Sequence, residues 1–86
     1  MADVVTGFIP EESVKNFLKT SLDRGSEFVV HYRKWTGSGP ARTPLEFVED
    51  YSDYWQMNRA RNGWDDEGYR AKRVFDLTYD EAHDLA

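Results

Sequence analysis

The chain has 86 residues and no cysteine, and its 16 acidic residues against 11 basic ones give a formal net charge of −5. This composition excludes disulfides, thiolate catalysis and Cys-ligated zinc, and it disfavours general attraction to nucleic acid or anionic lipid. The length predicts a single domain over residues 1–86 with a thin core.

Three Trp, five Tyr and five Phe can fill that core, because each ring buries about 150–250 Å². No window approaches about 18 consecutive apolar residues, so no membrane span is expected. The first ten residues lack a basic segment and a long apolar run, so no signal peptide is expected and a cytoplasmic protein is the default.

Val4, Val5, Phe8 and Ile9 predict a short strand or an extended arm. Pro10 suits a first helical turn, with Glu11 and Glu12 near the positive end of the dipole. Val14, Phe17, Leu18 and Leu22 recur at helical spacing, and Gly25 ends the run, which predicts a helix from Pro10 to Arg24. From Glu27 to Thr36 the period changes: Phe28, Val30 and Tyr32 alternate with Val29, His31 and Arg33, as in a strand. Gly37, Ser38, Gly39 and Pro40 then break it.

The segment from Thr43 to Gly63 reads as an amphipathic helix. Thr43 can cap it, Pro44 fits the first helical position, and Glu46 completes a capping box. At 100° per residue, Pro44, Phe47, Val48, Tyr51, Tyr54 and Trp55 share an arc of roughly 120°, with Glu46, Glu49, Asp50 and Asp53 opposite. The aromatic face is expected to be core, with Phe47, Val48, Tyr51 and Trp55 packing on Phe28, Val30 and Phe75.

Gly63 to Gly68 reads as a loop, polar except for Trp64. Tyr69 to Leu77 reads as a strand whose Arg70, Lys72 and Arg73 mark a sheet edge. Thr78 and Glu81 form a further capping box that opens a short last helix. The predicted order is (β)αβαβα. It makes a small two-layer α+β domain, with two main helices packed on a two- or three-stranded sheet. Parallel and antiparallel pairing remain open.

The motifs give no chemistry. Gly37, Ser38 and Gly39 before a helix resemble an anion-binding turn in outline, but the spacing fits neither the dinucleotide fingerprint nor the P-loop. His31 is expected at the surface or half-buried. His83 with Asp80 gives at most a partial metal site. No nucleophile elbow or other catalytic signature is present, so neither an enzyme nor a metal or cofactor is expected.

Two surfaces stand out as partner-binding candidates. The acids Glu46, Glu49, Asp50 and Asp53, continued by Asp65 and Asp66, suit docking to a basic partner. Trp35, Trp64, Tyr69 and Arg42 are residue types that dominate interface hot spots. A small, acidic, cysteine-free chain without catalytic motifs has the composition of many small protein inhibitors, including those phages encode against host enzymes or defence systems. The expected function is therefore a non-catalytic inhibitor or regulatory subunit that docks a larger protein. In its most specific version, it occupies a basic nucleic-acid-binding groove. The alternative is a nucleic-acid-binding module in which Arg33, Lys34, Arg42, Arg70, Lys72 and Arg73 form a basic strand face with Tyr32, Trp35 and Tyr69.

Overall fold

The structure, a computed structural model, describes residues 4–77. Thr78, Asp80, Glu81 and His83, with the expected last helix, lie outside the described residues. The element order is β1 (Val5–Thr6), α1 (Glu11–Asp23), β2 (Phe28–Thr36), a 3₁₀ turn at Gly39–Ala41, β3 (Thr43–Tyr51), α2 (Tyr54–Asp66) and β4 (Arg70–Asp76). This is a small α+β domain with two helices and a four-stranded sheet in the order β1-β3-β2-β4, every pair antiparallel. The basic strand β4 is an edge strand, as its charges suggested.

The topology fixes where the helices go. With all neighbours antiparallel, β1 runs parallel to β2 across β3, and β3 runs parallel to β4 across β2. The two crossovers, through α1 and α2, move the same way across the sheet but start from oppositely directed strands. Right-handed connections then place α1 and α2 on opposite faces. Packing agrees. Val14 and Leu18 of α1 bury with Val29, Phe75 and Leu77, while Met57 of α2 buries with Val30, Tyr32, Phe47 and Tyr69. The domain therefore has three layers, not two.

The expected helix from Thr43 is half strand. Thr43–Tyr51 pairs with β2 along all nine residues, from Thr36↔Thr43 to Phe28↔Tyr51. Because both sheet faces are covered, β3 carries apolar residues on each. Leu45 and Phe47 face α2, whereas Val48 faces α1. That two-sided pattern has no clean period of two and imitates a helical stripe.

The helix begins eleven residues later, where the Asp53 carboxylate caps the Gln56 N–H at 2.8 Å. It also runs past Gly63 to Asp66, so Trp64 lies in its last turn and not in a loop. Gly68, at φ 92°, closes it. Gly68 N–H donates to Asp65 C=O at 3.0 Å and Tyr69 N–H to Trp64 C=O at 2.9 Å, the bond pair of a Schellman end. The Trp64 and Tyr69 rings, 5.4 Å apart, supply the accompanying apolar contact. Trp55, expected in the core, is 73% exposed in the first turn.

Candidate functional site

The four acids assigned to one helix face are scattered by the strand. Glu46 is fully buried on the α1 face. Its carboxylate accepts from the Ile9 N–H at 3.1 Å and Arg33 Nε at 2.6 Å, and meets His31 Nε2 at 2.7 Å. Burial alone would raise this carboxyl, but these three partners outweigh it and hold it below the ordinary glutamate value. His31 is accordingly buried rather than at the surface. Asp50, on the same face, accepts from Ser26 Oγ at 2.9 Å and pairs with Arg24.

Glu49 points to the other face. Its Oε2 accepts from Trp64 Nε1 at 3.1 Å and from the Tyr51 hydroxyl, which in turn meets the Tyr32 hydroxyl at 3.1 Å. Burial and the bond to Glu49 push the Tyr51 hydroxyl up, and burial likewise raises Tyr32. Asp53 is occupied as the cap of α2. Glu46, Glu49, Asp50 and Asp53 thus hold the fold together and form no continuous acidic surface.

The aromatic candidates also divide. Tyr69 is buried and Trp64 half-buried, both against Phe47 at centroid separations of 5.2 and 4.6 Å. Trp35 and Arg42 come together at the surface. The Arg42 guanidinium lies 4.7 Å from the Trp35 ring centre, and Arg33 lies 5.5 Å from it. Phe8, which was not singled out from the sequence, completes the group. It packs edge-on to Trp35 at 6.1 Å and sits under Arg33 at 4.7 Å. Trp35 is 41% and Phe8 64% exposed.

Backbone geometry places this group. The β2–β3 loop turns at Gly37, whose φ is 78°. A Cβ there would meet the Ala41 carbonyl oxygen at 2.8 Å, so only glycine lets the loop fold back and lay Arg42 over Trp35. Phe8 follows β1 and Gly7, and the Gly7 N–H donates to Pro44 C=O at 2.9 Å. The same end of the sheet receives the end of α2 and the start of β4, because Arg33 pairs with Arg70. Asp65, Asp66 and Glu67 are exposed there, with Arg70 donating to Asp65. Of the ten candidate residues, four exposed ones (Trp35, Arg42, Asp65 and Asp66) therefore share one end of the molecule, although no sequence interval joins them.

Comparison of the chain with protein-family models, curated proteins and solved structures found no match. The functional reading rests on the residues themselves. The expected basic and aromatic strand face assembles only in part, through Arg33, Arg42 and Trp35. Arg33 lies with Glu46 on the α1 side, Lys34 reaches over Tyr69 on the α2 side at 5.4 Å, and Tyr32 and Tyr69 are buried. Among the described residues, no group of three or more His, Asp or Glu is placed to hold a metal ion, and no helix is long and apolar enough to cross a membrane.

Proposed function

We propose that this chain is a non-catalytic binding domain, an inhibitor or regulatory subunit that docks a larger protein through the end carrying Phe8, Trp35 and Arg42. The cysteine-free composition fits a reducing compartment such as the cytoplasm. The observation that supports this reading best is the exposed Trp35 held between Phe8 and two guanidinium groups. A ring fixed in this way loses little freedom on binding, and Trp and Arg are the side chains that contribute most at interfaces.

The neighbouring acids favour a protein partner over nucleic acid. Asp65, Asp66 and Glu67 at the same end would repel phosphates, whereas a protein surface can match mixed charge. The version in which acids occupy a basic groove loses its support, since the continuous acidic helix face it needed is absent. Among the acids first singled out, only Asp65 and Asp66 remain as contacts.

Photo-crosslinking tests this reading. With Ala41→p-benzoyl-phenylalanine, irradiation is expected to attach one protein partner covalently. The same residue at Trp55, at the far end of the domain, is expected to attach none. A nucleic-acid adduct from position 41, or equal protein labelling from both positions, would overturn it.

A further inference from the structure

A second feature lies on the α1 face and uses other side chains than the docking end does. Between α1 and the edge strand is a cavity of about 230 Å³. Its apolar wall includes Val14, Leu18 and Phe75, and its rim carries Lys15, Lys72 and Arg73 against one carboxylate, Glu11. The rim therefore has a formal excess of two positive charges. None of the three cations has a carboxylate within ion-pair distance among the described residues.

The sheet is irregular at this point. His31 pairs with Arg73 while Tyr32 pairs with Ala71, so Lys72 is the extra residue of a β-bulge. A bulge re-aims side chains that a regular strand would alternate, and here both Lys72 and Arg73 reach the cavity. Arg73 is held 4.8 Å above the Phe75 ring. His31 also lines the cavity, anchored through Nε2 to Glu46. Its Nδ1 makes no hydrogen bond among the described residues. Nor is Nδ1 sealed in the core, because Ser21 Oγ is the only buried side-chain polar atom without a partner there. With Nε2–H donating to the Glu46 carboxylate, the open Nδ1 of the neutral ring can accept a hydrogen bond but cannot donate one to a phosphoryl oxygen.

We propose that this cavity binds a small organic phosphomonoester. The phosphoryl group sits among Lys15, Lys72 and Arg73, and a short apolar body lies against Val14, Leu18 and Phe75. A dianion matches the excess charge, which a monoanion would leave half unbalanced. Arg73 can meet two phosphoryl oxygens side by side. The volume, below the range of about 300–1,000 Å³ for larger ligands, limits the body to the size of one ring.

Phenyl phosphate is the probe, titrated into the full chain above about pH 7, where its second proton is off, and followed by amide NMR shifts. Saturable shifts are expected at His31, Lys72 and Arg73. Inorganic phosphate and benzoate are each expected to bind about tenfold more weakly or worse, the equivalent of about 1.4 kcal/mol. Lys72→Ala with Arg73→Ala should weaken phenyl phosphate by at least about tenfold, and Lys15→Ala on the exposed side of α1 should weaken it without touching the sheet. The proposal fails if phenyl phosphate gives no saturable shift, if its shifts fall elsewhere, if benzoate binds as tightly, or if the Lys15 variant binds like the parent.

Discussion

Under α2 the sheet is covered by stacked and edge-on rings, and Tyr51 and Trp64 turn their polar ends onto Glu49, with Tyr32 bonded to Tyr51. Under α1 the apolar cover is mainly aliphatic, with Phe17 and Phe75 as its rings. The same face holds an open cavity lined in part by His31 and, through Glu46 and Arg33, joins the exposed Trp35 cluster. Each face holds a glutamate, Glu46 fully buried and Glu49 half-buried, and the surroundings differ. Glu49 is held by neutral hydroxyl and indole donors inside an aromatic core. Glu46 is held by a guanidinium, an imidazole and a backbone N–H at the border of the accessible part. The first arrangement locks α2 to the sheet, and the second fixes the floor on which binding groups stand.

The difference is open to test by substitution. Phe47→Ala removes the ring that touches Tyr32, Trp64 and Tyr69, and it is expected to cost about 3–5 kcal/mol in denaturant unfolding. A loss below about 1 kcal/mol would mean that the α2 face is not the main core. Glu46→Gln is expected to cost about 3 kcal/mol at neutral pH, because Arg33 loses its buried counter-charge.

The pH dependence has a definite sign. The Glu46 carboxyl is depressed in the folded state, so its stabilising contribution is present above the unfolded value of about 4.3 and is lost as pH falls through the folded value. The stability gap between the parent and Glu46→Gln should therefore narrow in acid. A gap that stays constant or widens would place the carboxyl elsewhere. Ser21→Ala should stabilise by about 1 kcal/mol, since it removes a hydroxyl buried on the α1 side with no partner among the described residues. Arg42→Glu at the exposed end should change stability by less than about 0.5 kcal/mol.

These regions were unevenly readable in the chain. The helix at Glu11–Asp23 follows its period because it turns one apolar stripe to the sheet, while the strand at Phe28–Thr36, buried on both faces, was legible from its β-branched and aromatic residues. The Thr43–Tyr51 strand did not, for two reasons. Both of its faces are covered, and two of its glutamates point inward to partners that lie 13 to 15 residues away. Residue type alone made those acids look solvent-facing. A better signal was present in the two equal stretches flanking a Gly-rich loop, and in Asp53 three residues before Gln56, a cap that marks the true helix start.

At the binding end, the residue types of Trp35 and Arg42 were informative, but Phe8 was not, because its role depends on β1 joining the far edge of β3. The Lys72 bulge had no sequence signal beyond three cations in four residues. A bulge is a property of the pairing partner as much as of the bulged strand.

The account's central claim is that the end bearing Trp35 is the contact surface and that the equally conspicuous Trp55 is not. The most direct measurement is the affinity of the crosslinked partner, once identified, for three purified chains: the parent, Trp35→Ala with Arg42→Glu, and Trp55→Ala. The account predicts a loss of at least about a hundredfold, roughly 2.7 kcal/mol, for the double variant and no change for Trp55→Ala. Unchanged affinity in the double variant, or a comparable loss in Trp55→Ala, would contradict it.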